Sequence, residues 1–117
     1  MAVYDLAHAL GKALKESEEY QSYQEVCEKI KKDPQAQKMI KEYQSLSWVI
    51  QTNSLMGQEV KPEDQEKFAK LDDLVKLNDM VQRYLKAENR LGIILQDLQK
   101  IIMGSIEVGV YEEDGGA

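Results

Sequence analysis

A lone histidine, His8, and a lone cysteine, Cys27, limit what the 117 residues can do chemically. One of each cannot complete a tetrahedral zinc site, and a two-histidine metal site within one chain is impossible. The Glu-x-x-His pair of helical di-iron proteins is absent. Cys27 falls at helical spacing with Tyr20, Tyr23 and Ile30, which reads as a small inward core residue rather than a nucleophile. No Gly-x-x-x-x-Gly-Lys or Gly-x-Gly-x-x-Gly run offers a phosphate cradle. Glu88 is the one acid to single out, on the flank of an apolar stripe between Tyr84 and Leu91. It either pairs with a cation across a helix interface or reaches solvent at the stripe's edge, and the second reading is preferred. The inventory therefore predicts no catalytic residue, no cofactor and no metal, and so no enzyme. An active site shared between subunits would need His8 or Cys27 beside acids of another chain.

Composition narrows the class further. Charged residues make up 31% and hydrophobic ones 43%, as in an ordinary folded protein. The length fits one domain, residues 1–117, with a flexible acidic tail expected from about residue 110. The formal net charge of −6 disfavours direct binding to nucleic acid, which needs Lys and Arg to neutralise phosphates. The one dense basic stretch, "KIKK" at Lys29 to Lys32, complements a helix C-terminus. A single cysteine fits a reducing compartment. The N-terminus "MAVYDLAHAL" lacks the layout of a signal peptide, and "LGIILQDLQKIIM" is too short and too polar to span a bilayer. No membrane partner is expected, and cytoplasmic residence follows by elimination.

The elements are all helical. Two segments, "KDPQAQKMIKEYQSL" from Lys32 and "LNDMVQRYLKAENRL" from Leu77, share a design. Each has a capping side chain, Asp33 or Asn78, followed by an apolar stripe at helical spacing. Ser17 starts a third, weaker relative. The similarity is read as convergence, since any amphipathic helix needs a cap and a stripe. Five helices are predicted, over about residues 3–15, 17–32, 34–56, 62–76 and 78–108. Pro34 and Pro62 stand at helix starts and Gly57 at a helix stop. Val3, Leu6, Ala7, Leu10 and Leu14 are expected to face inward from helix one, and Phe68, Leu71, Leu74 and Val75 from helix four. Ion pairs four apart are expected at Glu25–Lys29, Glu28–Lys32, Glu63–Lys67, Glu66–Lys70 and Asp72–Lys76. The fold class is all-α: an antiparallel helical bundle of two long helices and three shorter ones.

Helix five carries a heptad seam of Met80, Tyr84, Ala87, Leu91, Ile94, Leu98, Ile101, Ser105 and Val108. Val81, Leu85, Leu95 and Ile102 widen it. Helix three has its own seam of Met39, Tyr43, Leu46, Ile50 and Asn53, where Asn53 either sets register or marks a fraying end. The two long helices are expected to pair antiparallel, with helix four as connector. Helix three also shows a second face of Trp48, Thr52 and Leu55. Trp48 either packs against helix one or two of its own chain or lies at a subunit interface. The candidate interface is Trp48, Thr52, Leu55, Tyr84, Leu91, Ile94, Leu98 and Ile101, serving a homo-oligomer and an unidentified protein partner.

Four strings, "VYDLAHALGKALKESEEY", "DPQAQKMIKEY", "LMGQEVKPEDQEKF" and "AENRLGIILQDLQKII", resemble the small bacterial YheA-type proteins, which belong with the YlbF/YmcA family. The likeness runs from Val3 to about Met103. It implies an all-helical fold with long antiparallel helices and oligomeric assembly. YlbF and YmcA regulate competence, sporulation and biofilm formation in a complex linked to RNase Y and mRNA processing. The YheA-type branch is mostly uncharacterised. The resemblance carries over no catalytic residue. Relatives in that complex are associated with an iron–sulfur cluster held by several cysteines, a property that one cysteine, Cys27, does not carry over. The primary expectation is a non-enzymatic helical protein that self-associates and binds other proteins as a regulatory adaptor. The alternative is an RNA-processing accessory factor, implied only by the resemblance.

Overall fold

A computed structural model describes residues 1–107 and 109. Five helices follow one another: α1 (Ala2–Glu16), α2 (Glu18–Ile30), α3 (Pro34–Leu55), α4 (Pro62–Leu77) and α5 (Asp79–Gly104). Among the described residues there is no strand. The expected all-α class and five-helix order are what the structure shows.

Three of the helices, α2, α3 and α5, begin at a side-chain cap. Ser17 Oγ accepts from the Tyr20 amide at 3.2 Å, and Asp33 Oδ1 from Ala36 at 3.1 Å. Asn78 Oδ1 accepts from Val81 at 3.1 Å. These bonds satisfy donors that the first helical turn leaves free. Gly57 ends α3 in the left-handed region at φ +69°. The Gln58 amide then donates to Asn53 and the Gly57 amide to Ser54, the six-to-one and five-to-two closure of a helix end.

The corners share a further device. Glutamine stands four residues after every interhelical cap: Gln21 after Ser17, Gln37 after Asp33, Gln65 after Lys61 and Gln82 after Asn78. Gln21 Nε2 donates back to the Lys15 carbonyl at 2.9 Å. Gln37 Nε2 donates to Ile30 at 2.9 Å and Lys31 at 3.0 Å. Gln82 reaches Val75 at 3.1 Å, and Gln65 reaches Val60 in the preceding loop at 3.4 Å. Carbonyls that a helix end cannot pair internally are thus satisfied by the next helix, which ties successive helices at a set angle. The similar segments at Lys32 and Leu77 are two instances of this corner.

Packing departs from the expected pairing of the long helices. α3 lies against α4, where Tyr43 and Phe68 stack with ring centroids 5.3 Å apart. The Tyr43 hydroxyl donates to Asp72 at 3.3 Å, and Lys76 pairs with Asp72 at 2.8 Å. Lys76 holds the Asp72 carboxyl below its ordinary range. α5 lies against α2 along its N-terminal half, with Tyr23 and Tyr84 centroids 5.8 Å apart. The short 56–61 connection folds α4 back on α3, and so α4 takes the place expected for α5. α3 and α5 are joined by the bond from Gln44 to Glu88.

The core is thin. Val26, Ile30, Ala36, Ile40, Val75, Val81 and Ala87 are the buried apolar residues, gathered where α2 to α5 converge. Val75 and Val81 are the largest side chains fully enclosed. The radius of gyration is 18.8 Å, against about 13 Å for a compact domain of this length.

Other expectations change. Val3, Leu6, Ala7 and Leu10 face solvent, because α1 leaves the bundle at Ser17 and touches only α2; Leu14, beside the corner, is half-buried. Leu74 is exposed while Phe68 and Leu71 are half-buried and Val75 is buried. Glu25–Lys29, Glu66–Lys70 and Asp72–Lys76 form ion pairs, but Glu28 pairs with Lys31 three residues on. α5 stops at Gly104, a poor helix former, and the Ser105 hydroxyl donates to the Ile101 carbonyl at 2.7 Å. Ser105 therefore leaves the seam. Val108 and the tail from residue 110 lie outside the described residues.

Candidate interaction surface

Glu88 is the polar tie at the centre of the molecule. Its carboxylate accepts from Gln44 Nε2 of α3 at 2.7 Å and from the Tyr84 hydroxyl, one turn back on α5, also at 2.7 Å. It is half-buried, so neither solvation at the stripe's edge nor an ion pair describes it. A glutamine amide and a phenol supply its partners instead. Burial first, then the bond to Glu88, pushes the Tyr84 phenol far above its ordinary value of 10.0. The phenol stays neutral at physiological pH, and with both carboxylate oxygens engaged the pair is a structural tie. Gln44 had no distinguishing signal in the sequence, because its partner lies 44 positions away.

Beyond this tie, α3 and α5 leave open space, and Trp48 stands on its rim, 67% exposed. It does not pack into α1 or α2. A groove of about 600 Å³ on one side has walls of Ile30, Ile40, Val49 and Tyr84, with Lys41 at its edge. Another of about 640 Å³ runs between α3 and α5 past Tyr43, Leu85, Glu88 and Ile93. Trp48 lines both. Farther along α3, Leu55 is exposed and Thr52 half-buried. Asn53, also half-buried, lies within the last helical turn.

The C-terminal half of α5 passes beyond the end of α2. Leu91, Ile94 and Leu98 are half-buried there, while Leu95, Ile101 and Ile102 are exposed. The structure thus separates the residues of the candidate interface. Tyr84 is engaged inside the chain, Trp48 and Leu55 stand open on α3, and Leu91 to Ile101 form a stripe on distal α5. The apolar face of α1, expected to turn inward, is also open: Val3, Tyr4 and Leu6 all point outward, and none of them stood in the candidate interface.

Cys27 is half-buried on α2, and His8 is exposed on α1. Among the described residues no group of three His, Cys, Asp or Glu side chains could hold a metal ion, and no helix is long and apolar enough to cross a membrane. What this arrangement offers chemically is apolar area, with an aromatic anchor on one side and a helical stripe on the other.

A "UPF0342 protein" of Halothermothrix orenii is 38% identical over 114 residues, covering 97% of each chain. Another, from Symbiobacterium thermophilum, is 40% identical over 106 residues, covering 91% of this chain and 95% of its own. A solved structure titled "Protein of Unknown Function (DUF964) from Bacillus stearothermophilus" superposes with a TM-score of 0.69 at 22% identity, over 90% of this chain and 92% of that one. It shares the fold. The family model described as "Control of competence regulator ComK, YlbF/YmcA" matches residues 3–107, and the chain belongs to that family.

Proposed function

We propose that this protein is a non-enzymatic adaptor of the cytoplasm, of the YheA-type branch, that self-associates and docks a protein partner on the Trp48 face. The observation that carries the reading is the exposed indole between two apolar-walled grooves. Tryptophan is the residue type most enriched among energetic anchors of interfaces, and it is rarely left open without one. A family described by control of a competence regulator fits an adaptor role.

The test is capture of partners from the native bacterium by wild type and by Trp48→Ala. Loss of the same specific partner in Trp48→Ala, with helicity and solution mass unchanged, supports the reading. Equal capture by both proteins overturns the Trp48 assignment. The RNA-processing alternative gives a different signature. Binding to RNA would weaken steeply with salt, whereas an apolar protein interface would not.

A further inference from the structure

We infer that α1 is an exchanged arm: in a two-fold dimer, α1 of each copy lies on the C-terminal half of α5 of the other. This rests on the self-association part of the reading above and names the surface that performs it.

The first observation is a matched pair of vacant helical faces. Val3 and Leu6 on α1 are 64% and 70% exposed. Leu95, Ile101 and Ile102 on distal α5 are 50%, 63% and 55% exposed. No Cα of α1 comes within 8 Å of one in α5. The faces match in length. The 15 residues of α1 extend about 22 Å, and the helix from Leu91 to Gly104 about 21 Å.

The second observation is continuity. α2 covers the first half of α5, and α1 is the segment directly before α2. A straight run would place α1 on its own distal α5. The corner at Ser17 prevents that. Ser17 Oγ donates to Leu14 at 2.6 Å and Gln21 Nε2 to Lys15 at 2.9 Å, so the departure of α1 is held by hydrogen bonds. A second copy supplies the same helix from outside, as in exchange of identical elements between protomers.

Area identifies the occupant as a copy of this chain. The accessible surface is 9815 Å², against about 6,500 Å² for a compact monomer of this mass. The residues outside the described set could account for at most about 1,300 Å², even fully extended. Roughly 2,000 Å² per chain remains, in the range that permanent dimers bury. A need this large is present in every chain, and a second copy carries both vacant faces, so one two-fold contact covers all four. Exchange is also reciprocal, so it closes at two chains.

Leu6→Cys and Leu98→Cys, each in a Cys27→Ala background, are made as separate proteins, mixed by unfolding and refolding together, and joined with a short bismaleimide. Both positions are near mid-stripe, so they approach in either helix direction. No chain carries both cysteines, so a linked 6–98 peptide pair arises only between copies. That pair is the expected product, and Lys12→Cys in place of Leu6→Cys should not give it. Leu6→Asp, a change at an exposed position, should keep its helicity and show the mass of one chain. A wild-type dimer without the 6–98 link, or a dimeric Leu6→Asp, overturns the arm exchange and leaves self-association standing. A chain carrying both cysteines that links at monomer mass shows α1 folding onto its own α5, which also overturns it. A monomeric wild type overturns self-association itself.

Discussion

At the scale of single residues, Glu88 is the most informative position. Glu88→Ala leaves the Gln44 amide and the Tyr84 hydroxyl without their acceptor at a half-buried site. Leaving buried polar groups unpaired costs about 1–3 kcal/mol, which denaturant titration would measure. Tyr84 provides a pH test. Its folded pKa is raised, so the fold holds a proton that the unfolded chain releases near pH 10.0. Its contribution to stability is fully present below that value and is lost as pH rises past it toward the folded pKa. The advantage of wild type over Tyr84→Phe in thermal unfolding should therefore be larger at about pH 8 than at about pH 11. An advantage that stays constant or grows would show that the phenol is not held neutral by Glu88 and burial.

The helix corner is the next scale. Gln37 satisfies two carbonyls at the end of α2 with one amide nitrogen. Gln37→Leu should cost about 1 kcal/mol, whereas Gln35→Leu, two residues earlier on the same exposed turn, should cost close to nothing. Equal effects would remove the special role assigned to the glutamine four residues after the cap. Gly57 tests the other end of α3. Open space surrounds it, so Gly57→Ala meets only the backbone penalty of a side chain at positive φ, about 1–2 kcal/mol in thermal or chemical unfolding.

The whole molecule is governed by its thin core and long outline. Val81 is fully buried, and Val81→Ala removes two methyl groups from a core with few others, at about 2 kcal/mol. Trp48→Ala should change stability by less than about 0.5 kcal/mol, because the indole is open to solvent. On the proposed adaptor reading its effect falls on partner affinity, where loss of an aromatic anchor costs about 2 kcal/mol or more, near thirtyfold in Kd. A large loss of stability instead would mean that the indole packs within the chain. Self-association has its own signature: the melting temperature should rise with protein concentration, since dimer formation stabilises the folded state by mass action.

The features legible in the amino-acid order alone are local ones. Ser17, Asp33 and Asn78 cap helices because a short side-chain acceptor beside free amides acts within four residues. Pro34, Pro62 and Gly57 mark ends for the same short-range reasons. The all-α class follows from stripes whose period is that of a helix, and the absence of phosphate loops and paired histidines is a matter of counting. The corner glutamines were equally local and legible as cap-x-x-x-Gln, four times over. Which stripe meets which is a matter of three-dimensional packing. Val3 and Leu6, three apart, and Val26 and Ile30, four apart, are both apolar pairs at helical spacing, yet one pair is open and the other buried. Periodicity shows that a face is apolar and carries no information about its partner. That choice is made by corner angles and loop lengths: the Ser17 corner turns α1 outward, and the 56–61 connection gives α3 to α4. Glu88 follows the same rule. Its place beside Tyr84 is written in a four-residue spacing, but its bond to Gln44 exists only because two helices, distant in sequence, cross at that point.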